Sequence, residues 1–199
     1  MITKKKYQVI ALYGASGSGK DTILKWIVSH YPKLHLIVSC TTRPMRDGEV
    51  DGLDYHFVTE EEMMEQILSG EMLEATEFRG WFYGTQTSAL SADTVNIGVF
   101  NTAGLAALEE NSEIELLRIF IDASDKTRLL RCLNREINPD VDEIVRRYQT
   151  DKKDLREYKN ESAPPEFILI NEGINLNELS LNEFEAIMGD WANMFKLLR

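Results

Sequence analysis

At 199 residues the chain is long enough for one well-buried domain with small inserted lobes, and 43% apolar with 28% charged residues is ordinary for a globular protein. A formal net charge of −11 excludes a broad face for a polyanion such as duplex DNA, but leaves room for one small phosphate ligand held by a local arginine cluster. Cys40 and Cys132 have neither a CxxC nor a metal-binding spacing, which fits reduced thiols in the cytoplasm, and no apolar run nears the roughly 18 residues of a membrane span.

Lys4 to Lys6 precede only a brief apolar run, which does not read as a signal peptide. That run, Tyr7 to Tyr13 (YQVIALY), predicts a buried strand. Gly14 to Lys20 (GASGSGK) then satisfies GxxxxGK between a predicted strand and a predicted helix, the context that gives this motif meaning. Glycines let backbone amides converge on an oxygen cluster, the helix N-terminus adds its dipole, and Lys20 would neutralise β- and γ-phosphate charge. A flexible Gly/Ser turn with a solvated lysine is the bland alternative, and the strand–loop–helix context weighs against it. The phosphate-binding set is therefore Gly14, Ala15, Ser16, Gly17, Ser18, Gly19, Lys20, Asp21 and Thr22.

Asp21 stands where such loops carry Ser or Thr. Three readings compete: Asp21 coordinates Mg²⁺, Thr22 partly replaces the missing hydroxyl, or Asp21 merely favours the first helical turn. The first is preferred. The helix itself is expected over 21–31, with Ile23, Leu24, Ile27 and Val28 as its apolar stripe, followed by a strand over 34–39.

Residues 40–92 break this rhythm. Turn signals at 47–48, 51–52, 69–70 and 79–80, a short helix over 60–68 and aromatic-rich pieces indicate an inserted small lobe. Within it, Arg43 and Arg46 sit beside hydroxyl residues in an otherwise acidic protein, and guanidinium forks suit a terminal phosphate. Tyr55 adds a phenolic donor, and a solvated hairpin is the alternative. In Gly70 to Thr85, a strand-like or turn region punctuated by Glu71, Glu74 and Glu77, a carboxylate could accept two N–H groups from guanine, and Tyr83 could reach a phosphate. Taken alone, this segment fits a small aromatic core with solvated glutamates better.

Strands are expected at 95–100, 115–121 and 167–170, and helices starting at 102, over 126–136, 141–158 and 179–198. This alternation means an α/β protein with a parallel sheet and crossover connections.

The order GASGSGK, then SCTTRPMRDGEVDGLDYHFV, then GEMLEATEFRGWFYGT resembles the guanylate kinase family along nearly the whole chain. The resemblance implies a P-loop nucleoside-monophosphate kinase fold: a five-stranded parallel core sheet with helices on both faces, an inserted monophosphate-binding lobe and a lid. It places core at 1–39, 95–130 and 147–199, the lobe at 40–94 and the lid at 131–146. It implies transfer of phosphate from ATP, with Mg²⁺, to GMP or dGMP. By family match, Arg43, Arg46, Tyr55 and Tyr83 grip the monophosphate, and Ser39 and Glu74 read guanine. Thr85 keeps the hydroxyl of a family Ser, Glu49 supports the acceptor site, and Asn171 lies near adenine. Arg131, Arg135 and Arg147 surround the transferring group and, with Lys20 and Arg43, form the expected catalytic set. The expected partners are small-molecule nucleotides, not nucleic acid or membrane, with homo-oligomerisation left open.

Departures from the family pattern carry weight. Where the family has Asp-x-Asp at the end of the third core strand, this chain has Val99, Phe100 and Asn101. One lost carboxylate could be offset by Asp21, and Asn101, which both donates and accepts, could relax base selectivity at the acceptor site. Three alternatives therefore stand beside the guanylate kinase reading: a deoxynucleoside-monophosphate kinase of wider base range, a non-catalytic interaction module, and a P-loop NTPase with another acceptor. The lid arginines weigh against the module, and the Arg/Tyr/Glu lobe weighs against the last.

Overall fold

The structure is a computed structural model that describes residues 6–46, 48–78, 80–135 and 137–173. Its central strand, β1 (Tyr7–Tyr13), points Ile10 and Leu12 to one face and Val9, Ala11 and Tyr13 to the other. Both faces are covered, which is why YQVIALY is a nearly continuous apolar run instead of an alternating one. On the first face α1 (Lys20–His30) packs Ile23, Trp26 and Ile27 against Ile10 and Leu12, with Leu24 and Val28 at the margin. Trp26 extends the stripe expected from periodicity. Truncating a core side chain such as Ile27 to Ala should cost about 2–5 kcal/mol.

The chain continues through β2 (His35–Leu36), β3 (Cys40–Thr41), β4 (His56–Phe57), α2 (Glu60–Leu68), β5 (Met72–Phe78) and β6 (Trp81–Gln86). It returns by β7 (Val95–Val99), α3 (Thr102–Glu110), β8 (Ile114–Asp122), α4 (Asp125–Leu133), α5 (Val141–Glu161) and β9 (Phe167–Ile170). The main sheet has the order β2-β7-β1-β8-β9, with every pairing parallel. From β1 the chain leads toward the β2 edge, and from β8 toward the β9 edge. The direction switches between β1 and β8, and the crevice outside the strand C-termini at such a point is where α/β sheets bind ligands. On the second face Leu105 and Leu108 of α3 and Tyr158 of α5 pack on Tyr13 and Phe120.

A second sheet, β4-β3-β6-β5, takes all its strands from residues 40–86. Gly70 to Thr85 resolves into the antiparallel hairpin of β5 and β6. The arginine segment does not form a hairpin, because β3 and β4 run parallel. Helix α2 starts at a capping box: Thr59 Oγ1 accepts from the Glu62 amide at 3.1 Å, and Glu62 Oε2 accepts from the Thr59 amide at 2.8 Å.

The strand expected over 34–39 is laddered only at His35–Leu36, because β2 is an edge strand with β7 as its single neighbour. The helix expected to reach 136 ends at Leu133, and the next begins at Val141, capped by Asp140. The helix expected over 179–198 lies outside the described residues. Among the described residues no helix is long and apolar enough to cross a membrane.

One buried cation ties the layers together. Arg118 of β8 bonds Glu109 of α3 at 2.5 Å, Glu166 at 2.6 Å, and the carbonyls of Ala163 and Pro164. The hydrogen bonds to Glu166 lead in raising its pKa, so it stays charged.

Candidate active site

The glycine-rich loop leaves β1 and enters α1 through Gly19, whose left-handed backbone (φ 93°) caps the helix with no side-chain bond. The first-turn amides of α1 thus have no side-chain cap and suit an anion. A side chain at Gly19 would also sit 2.4 Å from Asn171 Nδ2, and one at Gly17 (φ 78°) would sit 2.5 Å from the Arg128 carbonyl of α4. Both glycines are demanded by conformation and by close approach. Lys20 folds back to donate from Nζ to the Ala15 carbonyl at 3.1 Å. Burial lowers the Lys20 pKa, while Asp21 and Asp151 oppose the shift.

The outer side of the loop is stapled. Asn171 Nδ2 donates to the Ser18 carbonyl at 2.7 Å. Arg131 Nη1 donates to the carbonyls of Gly17 and Ser18 at 3.2 and 3.3 Å, and Nη2 to the Asn171 carbonyl at 3.0 Å. Arg131 and Asn171, which family resemblance places by the transferred phosphoryl and the adenine, are both engaged with the loop backbone. The Ser18 hydroxyl is buried and has no partner among the described residues.

Across the cleft, Arg43 is buried and paired in a fork with Glu49, Nη1 to Oε2 at 2.7 Å and Nη2 to Oε1 at 2.6 Å. Burial alone would raise Glu49; the Arg43 fork and the Arg46 amide, which donates to Oε2 at 2.8 Å, outweigh it and hold the carboxyl below its ordinary value. The Arg43 guanidinium lies 5.0 Å from the Tyr55 ring and 5.4 Å from the Phe57 ring. Tyr55 in turn packs edge-on to Tyr83 at 6.1 Å. Arg46 has its pKa lowered by burial and then by the positive charges of Arg43 and Arg147. Arg43, Arg46 and Arg147 all line one cleft, an arrangement suited to an anionic ligand.

In the second sheet, Glu74 and Thr85 are register partners on β5 and β6. Thr85 Oγ1 donates to Glu74 Oε1 at 2.7 Å and lies 3.0 Å from Ser39 Oγ. With its single proton committed to Glu74, Thr85 accepts from Ser39. Burial pushes the Glu74 carboxyl up to about 7, against the opposing Thr85 bonds. Gly104 of α3 makes room for it: a side chain there would stand 3.0 Å from Glu74 Oε2.

Asn101 is the N-cap of α3, its Oδ1 accepting the Gly104 amide at 2.7 Å while Nδ2 donates to Thr76 Oγ1 at 2.9 Å. Its preference for a cap position was readable from Asn before TAGL.

A cleft of about 420 Å³ joins these parts, lined by loop residues including Lys20 and Asp21, by Ser39, Arg43, Arg46, Tyr55, Glu74, Tyr83 and Asn101, and by Arg135 and Arg147. Arg147 Nε donates to Glu143 Oε1 at 2.7 Å, and Arg146 takes the same carboxylate at 2.7 and 2.9 Å.

Asp151, absent from the sequence reading, also lines the cleft, and its Oδ2 accepts the Ser16 amide at 2.7 Å. It sits four residues after Arg147 and eight after Glu143, on the same face of a helix charged all round, so its spacing did not single it out.

No group of three or more His, Cys, Asp or Glu suited to a metal occurs among the described residues. Asp21, an exposed hard oxygen donor at the loop, nevertheless fits Mg²⁺, which takes one or two carboxylates and completes its shell with substrate phosphates and water.

The guanylate kinase family model matches residues 6–184. A guanylate kinase of Synechococcus sp. (strain JA-3-3Ab) is 30% identical over 185 residues, covering 91% of this chain and 82% of that protein. One from Helicobacter hepaticus is 30% identical over 173 residues, covering 85% and 84%. The crystal structure of guanylate kinase from Anaplasma phagocytophilum superposes with a TM-score of 0.63 at 22% identity, covering 98% of this chain and 87% of that one, and so shares the fold. With a relative at this identity matched over 82% of its length and a family match over residues 6–184, the chain belongs to the guanylate kinase family.

Proposed function

We propose that the protein transfers the γ-phosphoryl group of ATP to GMP or dGMP. The observation that carries this reading is the single cleft in which the phosphate loop faces both a three-arginine cluster and the buried Glu74 carboxylate. A phosphate cradle alone would fit any nucleotide hydrolase. The opposing cations supply a second anion site, and Glu74 supplies an acceptor for paired N–H groups, which guanine presents and adenine does not.

The reaction needs alignment and charge stabilisation more than a covalent nucleophile. Lys20 and the α1 amides hold the donor phosphates. Asp21 would hold Mg²⁺, which when bound screens the phosphates and draws charge from the group in transfer. Arg43, kept rigid by Glu49, fixes the acceptor phosphate with Arg46, Tyr55 and Tyr83. Arg135 and Arg147, from the segment joining α4 and α5 and from α5, reach the cleft from its third side, where positive charge stabilises the transferring phosphoryl group. Arg131 and Asn171 keep the loop carbonyls turned outward so that its amides face the substrate. The acceptor phosphate is already anionic, so no general base is required, and His56 has no part in the scheme.

A second reading, a kinase of wider base range, is favoured by Asn101. Its carbonyl caps α3 and its NH₂ group bonds Thr76, which leaves discrimination at the base to Glu74. Coupled ADP-release assays across the ribo- and deoxynucleoside monophosphates of all four bases test both. Preference for GMP and dGMP supports the first reading and comparable rates across bases the second. Absence of turnover with every acceptor would overturn both in favour of a non-catalytic module.

A further inference from the structure

Asp151 is 9% exposed and belongs to α5, yet its carboxylate reaches the phosphate loop, where Oδ2 accepts the Ser16 amide at 2.7 Å. Ser16 lies between Gly14 and Lys20, so the amide Asp151 occupies is one of those that would converge on a phosphate oxygen. A carboxylate offers the same kind of acceptor as a phosphate, and it lies close enough to Lys20 to act on its charge.

We infer that Asp151 is an internal stand-in for substrate phosphate, which occupies the Ser16 amide of the empty loop and leaves it when nucleotide arrives. The inference rests on the reading of the loop as an ATP cradle. Two anions cannot both take that amide, and like charges at close range repel strongly in a partly dry cleft. Asp151 thus competes with the donor phosphate for that amide. Its release is mechanically tied to Arg147, one helical turn earlier on the same face of α5. Displacement of the carboxylate by phosphate would therefore let α5 shift with the arginine that serves the transfer, linking donor binding to assembly of the site.

The test is direct binding by calorimetry of ATP, and of inorganic tripolyphosphate as a phosphate-only probe, to wild type, Asp151→Asn and Asp151→Ala. Asn keeps the shape and an acceptor oxygen while removing the charge; Ala removes both. Both variants are expected to bind both probes roughly tenfold tighter than wild type. A residue that merely braces the fold would give the opposite sign. Unchanged or weaker binding in both variants, beside a wild type that binds ATP, overturns the inference. A wild type that binds neither probe overturns it together with the nucleotide reading of the loop.

Discussion

Thr85 Oγ1 donates a 2.7 Å hydrogen bond to Glu74 Oε1, and burial outweighs that bond enough to raise the carboxyl to about 7. In the unfolded chain Glu74 titrates near its ordinary value of 4.5. Between those values the folded state holds the extra proton. Stability from this group is therefore full below the unfolded value and is lost as pH rises through about 7. The total is on the order of 3 kcal/mol. Glu74→Gln removes the titration, so its melting temperature should gain on wild type between pH 5 and pH 8. Parallel thermal melts across that range check this, and a constant offset between the proteins would contradict it.

Recognition of the acceptor should follow the opposite pH trend. Only the ionised Glu74 accepts two N–H groups, so KM for GMP should rise as pH falls from 8 to 6 while KM for ATP stays nearly level. In Glu74→Gln, KM for GMP should be at least tenfold higher, about 1.4 kcal/mol, and no longer vary with pH through this group. Initial-rate kinetics at several pH values separate the two substrates.

The Arg43–Glu49 fork predicts a different signature. Arg43 is buried, so removing its partner leaves an uncompensated charge, a loss of about 3–5 kcal/mol. Glu49→Gln keeps one acceptor and should lose less stability, but it frees the guanidinium from its forked geometry. KM for GMP should then rise with KM for ATP unchanged, as measured by initial rates with each substrate varied.

Much of this arrangement was legible in the chain. Tyr7–Tyr13 and Phe167–Ile170 appear where apolar runs placed them, and α2 spans Glu60–Leu68 as expected. The glycine-rich turn between strand and helix was readable because Gly14, Gly17 and Gly19 take backbone angles with positive φ, a local requirement. What stayed hidden depends on tertiary partners. Nothing in the sequence around Arg131 says that its guanidinium meets backbone carbonyls of a loop 114 residues away. Asp151 lies in a helix rich in charge on every side, where one more carboxylate carries no periodic signal. The short β2 reflects an edge position, which an apolar run cannot report.

The contrast between Arg131 and Arg135 is testable. Arg131 bonds the carbonyls of Gly17, Ser18 and Asn171, so Arg131→Ala should loosen the loop and weaken ATP binding by tenfold or more, on the scale of 1.4 kcal/mol. Arg131→Lys should not restore it, because one ammonium cannot span those carbonyls as a planar fork does. Arg135→Ala should instead lower kcat by roughly 100-fold with ATP affinity nearly intact, the loss expected when a transition-state charge partner is removed. Equilibrium ATP binding without acceptor, set beside turnover, distinguishes them.

Asp21 and Val99 line the same cleft, the loop supplying a carboxylate where the end of β7 supplies none. If Asp21 holds the metal, Asp21→Ser should raise the Mg²⁺ concentration for half-maximal rate several-fold while sparing GMP affinity, and a Val99→Asp change made in that background should recover part of the loss. Unchanged Mg²⁺ dependence in Asp21→Ser would refute the assignment.

Asn101 gives the sharpest test of base range. In Asn101→Asp the side chain can still accept the Gly104 amide, and a carboxylate at a helix N-terminus interacts better with the dipole, so α3 should hold. The hydrogen bond now donated to Thr76 Oγ1 at 2.9 Å is lost, because an ionised Asp has no proton to give; Thr76 must reverse and donate instead. The second carboxylate oxygen then adds an acceptor and a negative charge beside Glu74. Guanine, with N–H groups to offer, should gain, whereas bases presenting carbonyl or ring-nitrogen acceptors there should lose. The ratio of kcat/KM for GMP to that for AMP should rise about tenfold, the scale of one well-placed polar contact in a buried site. A ratio unchanged from wild type would mean that residue 101 serves only the α3 cap and that Glu74 alone sets the base.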